Sequence, residues 1–185
     1  MKLTETGFKD LYLLEPRVFE DSRGFFMESF NANVLRDLGL DYKFIQDNQS
    51  YSKQGVLRGL HYQNPPYAQT KLVRVLSGTI LDVVVDLRKD QPTFGKHYSV
   101  ELSAESKLQL YVPKGFAHGF SVLSDKAVVL YKCDAFYNKE SDAGIRFDDP
   151  SLAIDWKIPP DQMIVSAKDR ELPFLEKAKN SFKYS

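Results

Sequence analysis

The run KLVRVL (71–76), Ser77-Gly78, TILDVVVDL (79–87) decides the class of fold. Two apolar, β-branched segments flank a Ser-Gly step with the length and type of a two-residue hairpin turn, in which glycine supplies the positive φ. The expectation is a pair of adjacent antiparallel strands. In the second of them Leu81, Val83, Val85 and Leu87 share one face and Asp82, Val84 and Asp86 the other, the alternation of a half-buried strand. Asp82 and Asp86 are therefore expected to face solvent or to serve structure rather than chemistry.

Similar short runs recur on both sides: GFFMESF (24–30), KFIQDNQSYS (43–52), GVLRGLHYQ (55–63), KHYSVELS (96–103), KLQLYVP (107–113) and AVVLYKCDAFY (127–137). So many strands at such spacing, parted by turn residues, predict an all-β sandwich or barrel. Helical patterning is confined to NANVLRDLGL (31–40), with Asn31 or Asn33 as cap and Val34, Leu35 and Leu38 as its stripe, and to ELPFLEKAKN (171–180). A few short helices then decorate a β framework. No repeat, low-complexity tract or linker divides residues 1–185, so a single domain is expected.

At 43% hydrophobic content the chain can bury about 70% of its unfolded surface. Its 25 basic side chains balance 25 acidic ones, so no overall field draws it to nucleic acid or to an anionic membrane. An anionic ligand must be met by local cations. The opening MKLTETGFKDLYLLE has no basic n-region followed by an apolar h-region, and no apolar run reaches the ~20 residues of a membrane span. The expected location is the cytoplasm. Cys133 is the only cysteine, which excludes an internal disulfide and a thiolate metal cluster and leaves core packing as its reading.

Three histidines remain. His97 lies in a plain alternating strand and is read as an ordinary structural residue. His61 and His118 close the segments G-x5-H (Gly55 to His61) and P-x-G-x2-H (Pro113 to His118), which resemble the two signatures of the cupin superfamily. In a regular strand Leu57, Gly59 and His61 share one face and Arg58, Leu60 and Tyr62 the other, unless a bulge at Gly59 alters this. Metal-binding cupins continue the first signature as H-x-H with a glutamate soon after. Here Gln63 follows, and no glutamate is near, so no metal or other cofactor is expected. An uncoordinated imidazole titrates near ~6.5 and suits general-base work.

With these signatures in place the chain resembles the dTDP-4-dehydrorhamnose 3,5-epimerases, a metal-independent family with a cupin-like fold. The resemblance runs through DSRGFFMESF (21–30), FIQDNQSYS (44–52), GVLRGLHYQ (55–63), QTKLVRVLSG (69–78), VPKGFAHGF (112–120), VLYKCDAFY (129–137) and SAKDRELP (166–173). It implies a cupin-like jelly-roll β-sandwich or barrel with short peripheral helices, a dTDP-linked keto-sugar as substrate, and a homodimer. The implied activity is epimerisation at C3 and C5 of dTDP-4-dehydro-6-deoxy-D-glucose, a step towards dTDP-L-rhamnose. It also assigns roles. His61 is the base with Asp169 as partner carboxylate, Lys71 and His118 stabilise the enolate, and Tyr131 is the acid acting on the opposite ring face. Arg23, Arg58 and Lys168 match contacts to phosphate and nucleotide. Glu28, Gln46, Asp47 and Asn48 match further ligand-binding positions, and Tyr137 matches the aromatic that stacks on thymine. Asp142 stands where many members carry glutamate.

Three other readings stay open on sequence grounds. A relative could invert C3 or C5 alone, since one base and one acid serve both positions. A metal-dependent cupin oxygenase and a non-catalytic sugar-nucleotide binder are the readings from other classes.

Overall fold

The computed structural model describes residues 1–40 and 43–183. The chain opens with strands β1 (Lys2–Glu5) and β2 (Tyr12–Glu15), a small hairpin of β3 (Val18–Asp21) and β4 (Gly24–Met27), and helix α1 (Ala32–Asp37). Then come β5 (Gln46–Lys53), β6 (Val56–Gln63), β7 (Lys71–Ser77), β8 (Thr79–Asp86), β9 (His97–Ser103), β10 (Gln109–Val112), β11 (Phe116–Val122) and β12 (Lys126–Cys133). Strands β13 (Asp142–Gly144) and β14 (Ile164–Val165) and helix α2 (Ala167–Arg170) follow. A first sheet runs β1-β2-β10-β7-β12-β5 and a second β13-β6-β11-β8-β9, with β14 added in parallel to β6. The predicted all-β architecture with short peripheral helices is therefore what the chain adopts.

The expected hairpin does not form. β7 pairs with β10 and β12 in the first sheet, whereas β8 pairs with β9 and β11 in the second. Gly78 does take a positive φ, +80°, but there the chain crosses between sheets instead of folding back. A Cβ at Gly78 would lie 2.0 Å from the carbonyl oxygen of Lys126, so the crossing admits only glycine. A local Ser-Gly signal reports the bend and not its destination.

The alternation in β8 holds, but both faces are covered. Leu81, Val83, Val85 and Leu87 pack on the outside of the second sheet beneath Ile145, Phe147, Trp156 and Phe182. Ile80 and Val84 point between the sheets, with Val73, Val75, Val129 and Phe120. Each such side chain contributes about 1.5–3 kcal/mol by leaving water, so β8 is anchored from both faces. Asp82 and Asp86 share the inner face with Val84 and are fully buried, contrary to the solvent-facing option. Asp86 is structural: it accepts from Arg88 Nε at 2.9 Å and from Thr93 Oγ1 at 2.6 Å. A third cluster, Leu14, Leu35, Leu72 and Tyr111, joins α1 to the outside of the first sheet.

A bulge corrects the face assignment in β6. On β11 the step from His118 to Phe120 spans two residues, while the partners His61 and Arg58 are three apart. The extra residue turns Arg58 and His61 to the same, inner side, and Leu57 and Leu60 both pack outward. Gly59 makes this possible with φ +124°, where an added Cβ would stand 2.6 Å from Gly119 Cα.

Helix α1 is capped by Asn31, whose Oδ1 accepts from the Asn33 and Val34 amides. The helix expected over 171–180 is reduced to one 3₁₀ turn at Leu175–Lys177. Pro173 disfavours helical backbone at the residue before it. The helical turn lies earlier, at α2, where Ser166 Oγ caps the Asp169 amide at 3.1 Å.

Candidate active site

The two sheets face each other across a cleft of about 590 Å³ lined by Arg58, His61, Lys71, His118, Tyr131, Lys168 and Asp169. A neighbouring chamber of about 240 Å³ is lined by Gln46, Asn48, Tyr137 and Asp142. His61, Lys71, Tyr131 and Lys168 border both, so the two volumes form one site. The second sheet supplies His61 from β6 and His118 from β11, and the first supplies Lys71 from β7 and Tyr131 from β12.

His61 Nε2 lies 2.7 Å from Asp169 Oδ1. A carboxylate only accepts, so Nε2 carries the proton in this pair and Nδ1 keeps its lone pair. The other carboxylate oxygen accepts from the Gly59 amide at 3.3 Å. Burial pushes the Asp169 carboxyl up, but its bond to His61, the His61 charge, the Gly59 amide and Ser166 together hold it below the usual range. It therefore stays ionised while only 4% exposed.

A second imidazole–carboxylate pair lies deeper. His118 Nε2 is 2.5 Å from Asp82 Oδ1, both groups are buried, and Asp82 Oδ2 has no hydrogen-bond partner among the described residues. Asp82 is the residue that sequence reasoning missed. The alternation Asp82, Val84, Asp86 reads as the polar face of a half-buried strand, and what buries that face is the facing sheet, which local spacing does not reveal.

Lys71 Nζ stands 5.7 Å from the centre of the Tyr131 ring, and the His118 ring packs edge-on to Tyr131 at 6.3 Å. Burial pulls the Lys71 pKa below the ordinary lysine value, with Asp82 and Asp142 among the groups that oppose it. Burial pushes the Tyr131 phenol up, with Cys133 and Asp142 adding and Arg58 opposing. Cys133 is buried beside the site, within 3.6 Å of Asn48 Nδ2, and burial pushes its thiol up to about 11. An unreactive packing role, as expected, fits that environment.

The binding residues divide. Arg58 is held by Ser52 Oγ at 3.0 Å. Asp142 accepts from Lys168 Nζ at 2.6 Å and from the Tyr137 hydroxyl at 3.3 Å, so the shorter acid gathers these two side chains within the chain itself. The bond from Asp142 raises the Lys168 pKa. Gln46 donates to Asn48 Oδ1 and accepts from the Tyr137 amide, which occupies its side-chain amide internally. Three expected positions do not come to the cleft of their own chain. Asp47 alternates to the other face of β5 and pairs with Lys132 at 2.9 Å, because neighbouring residues of a strand point oppositely. Arg23 projects from the β3–β4 turn and pairs with Asp21, and Glu28 is exposed just beyond β4. Among the described residues no group of three or more His, Cys, Asp or Glu side chains converges to hold a metal ion.

Two oriented imidazoles and, from the facing sheet, a lysine and a tyrosine thus line one cleft of a two-sheet sandwich, four groups able to carry or stabilise a moving proton. The model of the family dTDP-4-dehydrorhamnose 3,5-epimerase matches residues 5–177. The dTDP-4-dehydrorhamnose 3,5-epimerase of Shigella flexneri is 52% identical over 170 residues, 91% of this chain and 93% of that one. The crystal structure of the enzyme from Elizabethkingia anophelis superposes with a TM-score of 0.91 at 56% identity, covering 95% of this chain and 97% of that one. A structure from Legionella pneumophila, in complex with dTDP-4-keto-L-rhamnose, gives 0.91 at 47% identity over 95% and 93% of the two chains. The chain belongs to the dTDP-4-dehydrorhamnose 3,5-epimerase family and has its cupin-like β fold.

Proposed function

We propose that this protein inverts C3 and C5 of dTDP-4-dehydro-6-deoxy-D-glucose, giving dTDP-4-dehydro-L-rhamnose through enolate intermediates. The observation that carries this reading is the opposition of His61 and Tyr131, which stand on facing sheets across one cleft. A sugar ring between them has a proton carrier on each face. His61 Nδ1 takes the proton beside the C4 ketone, and the C–H electron pair moves into the new C=C bond while the carbonyl pair moves onto oxygen. Asp169 fixes the tautomer and stabilises the imidazolium. Lys71 and His118 meet the oxyanion, His118 itself held by Asp82. Tyr131 then gives its proton to carbon from the other side, and proton return from His61 to the phenolate, directly or through water, restores both groups. Arg58, Lys168, Asn48, Asp142 and Tyr137 are the proposed binding residues within the chain's own cleft, and the whole chain acts as one domain.

The test is NMR of the substrate in D2O with protein treated exhaustively with chelator. Deuterium should enter at both C3 and C5 and the L-configured product should form at undiminished rate. Label at one carbon only would make this a single-position epimerase, and loss of activity restored by a divalent ion would overturn the metal-free reading. Its basis is that both imidazoles already hold carboxylates and that Gln63 stands where the second metal-binding histidine would.

A homodimer is also proposed. Phe25 and Phe26 on the β3–β4 hairpin are 56% and 71% exposed, and Arg23 and Glu28 beside them lie off their own cleft, as residues serving a neighbouring subunit would. Light scattering should give twice the chain mass, and a monomer with full turnover at the same concentration would refute this. No helix among the described residues is long and apolar enough to cross a membrane. A nucleotide-sugar substrate and one unpaired cysteine support a cytoplasmic location.

A further inference from the structure

The segment joining β12 to β13 carries Tyr137 and has no strand or helix of its own. Its backbone is nonetheless held residue by residue. Gln69 Nε2 donates to the Ala135 carbonyl at 2.8 Å, and Gln63 Nε2 donates to that of Phe136 at 3.2 Å. The Tyr137 amide donates to Gln46 Oε1 at 3.0 Å, and the Asn138 amide to Gln63 Oε1 at 2.7 Å. Three glutamines, from the start of β5, the end of β6 and the segment before β7, thus grip four successive residues. Gln63 is the centre of the grip. It is buried and donates a further bond to the Tyr67 carbonyl at 2.7 Å, so both ends of its amide are committed to backbone. The Phe136 and Tyr137 rings remain 62% and 58% exposed, so apolar packing of these rings does not hold the segment.

We propose that Gln63, assisted by Gln46 and Gln69, is a positioning residue for base recognition: the glutamine clamp presents the Tyr137 ring to the nucleobase before ligand arrives. The inference rests on the reading of Tyr137 as the stacking ring and explains how the irregular backbone beneath an exposed ring is held, while Asp142 accepts from the ring hydroxyl. A platform ordered in advance spares the complex the entropy of ordering it on binding. The clamp lies away from the reacting carbons, so its loss falls on binding more than on turnover.

Calorimetry with dTDP and, separately, with inorganic pyrophosphate tests this on wild type, Gln63→Ala, Gln69→Ala, Tyr137→Ala and the Gln63→Ala/Tyr137→Ala double variant. Gln63→Ala should weaken dTDP binding about tenfold, the scale of losing partners for buried amides. Its KM should rise with that loss while kcat changes less, and pyrophosphate, which has no base, should bind as to wild type. Gln69→Ala should show the same pattern to a smaller extent, and it carries the test if Gln63→Ala does not fold. In the Tyr137→Ala background Gln63→Ala should cost nothing more. Wild-type dTDP affinity in both glutamine variants, full additivity with Tyr137→Ala, or an equal loss for pyrophosphate would each overturn the clamp. Unchanged affinity in Tyr137→Ala alone would instead overturn the stacking reading beneath it.

Discussion

His61→Ala should abolish both deuterium exchange and inversion, whereas Tyr131→Phe should still wash deuterium from D2O into C3 or C5 while forming little inverted sugar. The expected losses are large, on the order of 10⁴-fold for His61→Ala, the upper end of what a positioned base contributes. The two variants differ in kind because His61 offers the cleft a free ring nitrogen backed by a buried, ionised carboxylate, whereas Tyr131 is proposed to act only after the enolate has formed. Without it no enolate forms for any acid to protonate. Tyr131 approaches from the facing sheet, and its absence leaves the enolate to recover a proton from the side on which it was lost. Substrate NMR in D2O, scoring label at each carbon apart from stereochemistry, reads both outcomes. Inversion at near wild-type rate by Tyr131→Phe would make the tyrosine a packing residue. Exchange by His61→Ala but not by Tyr131→Phe would reverse the assignment of base and acid.

Lys71→Met should lower kcat by about 10²–10³, the usual effect of removing a donor aimed at a developing oxyanion, and should weaken dTDP binding much less. Imidazole is too weak a base to deprotonate a carbon beside a ketone unless charge on oxygen is met by a fixed cation. The pH profile gives an independent check. Lys71 acts protonated and burial lowers its pKa, so activity should fall with rising pH before an ordinary lysine would titrate. Tyr131, whose pKa burial raises, also acts protonated and is not the origin of that limb. Lys71→Arg, which stays charged, should move the limb upward in whatever activity it retains. A variant that loses affinity yet keeps turnover would reassign Lys71 to the phosphates.

Period-two patterning was enough to find β5 to β10 and β12, and the Asn31 cap was enough to find α1. β11 escapes the same reading because Gly115 and Gly119 interrupt its pattern, although its strand interior is wholly buried. Pairing is less legible than existence: the Ser77-Gly78 step looks identical whether the chain folds back or crosses to the other sheet. Site residues divide in the same way. His61, His118 and Asp169 are visible through motif resemblance, and the structure adds which carboxylate each imidazole holds. Asp82 and the glutamine grip on Tyr137 depend on strands brought together from distant sequence, as with Asp82 and His118, 36 residues apart. No spacing rule encodes such approaches.

His61 and Asp169, the proposed base and its orienting acid, are separated by 108 residues, and the acid arrives on a short turn that follows the sandwich in chain order. During synthesis every strand of both sheets, β14 included, precedes Asp169 and its turn. A nascent or cleaved chain ending before that turn retains almost the whole barrel and an imidazole with no partner. With the proposed roles, catalytic competence is a late event in the making of this protein and an early loss in its degradation, a built-in report that the tail is docked.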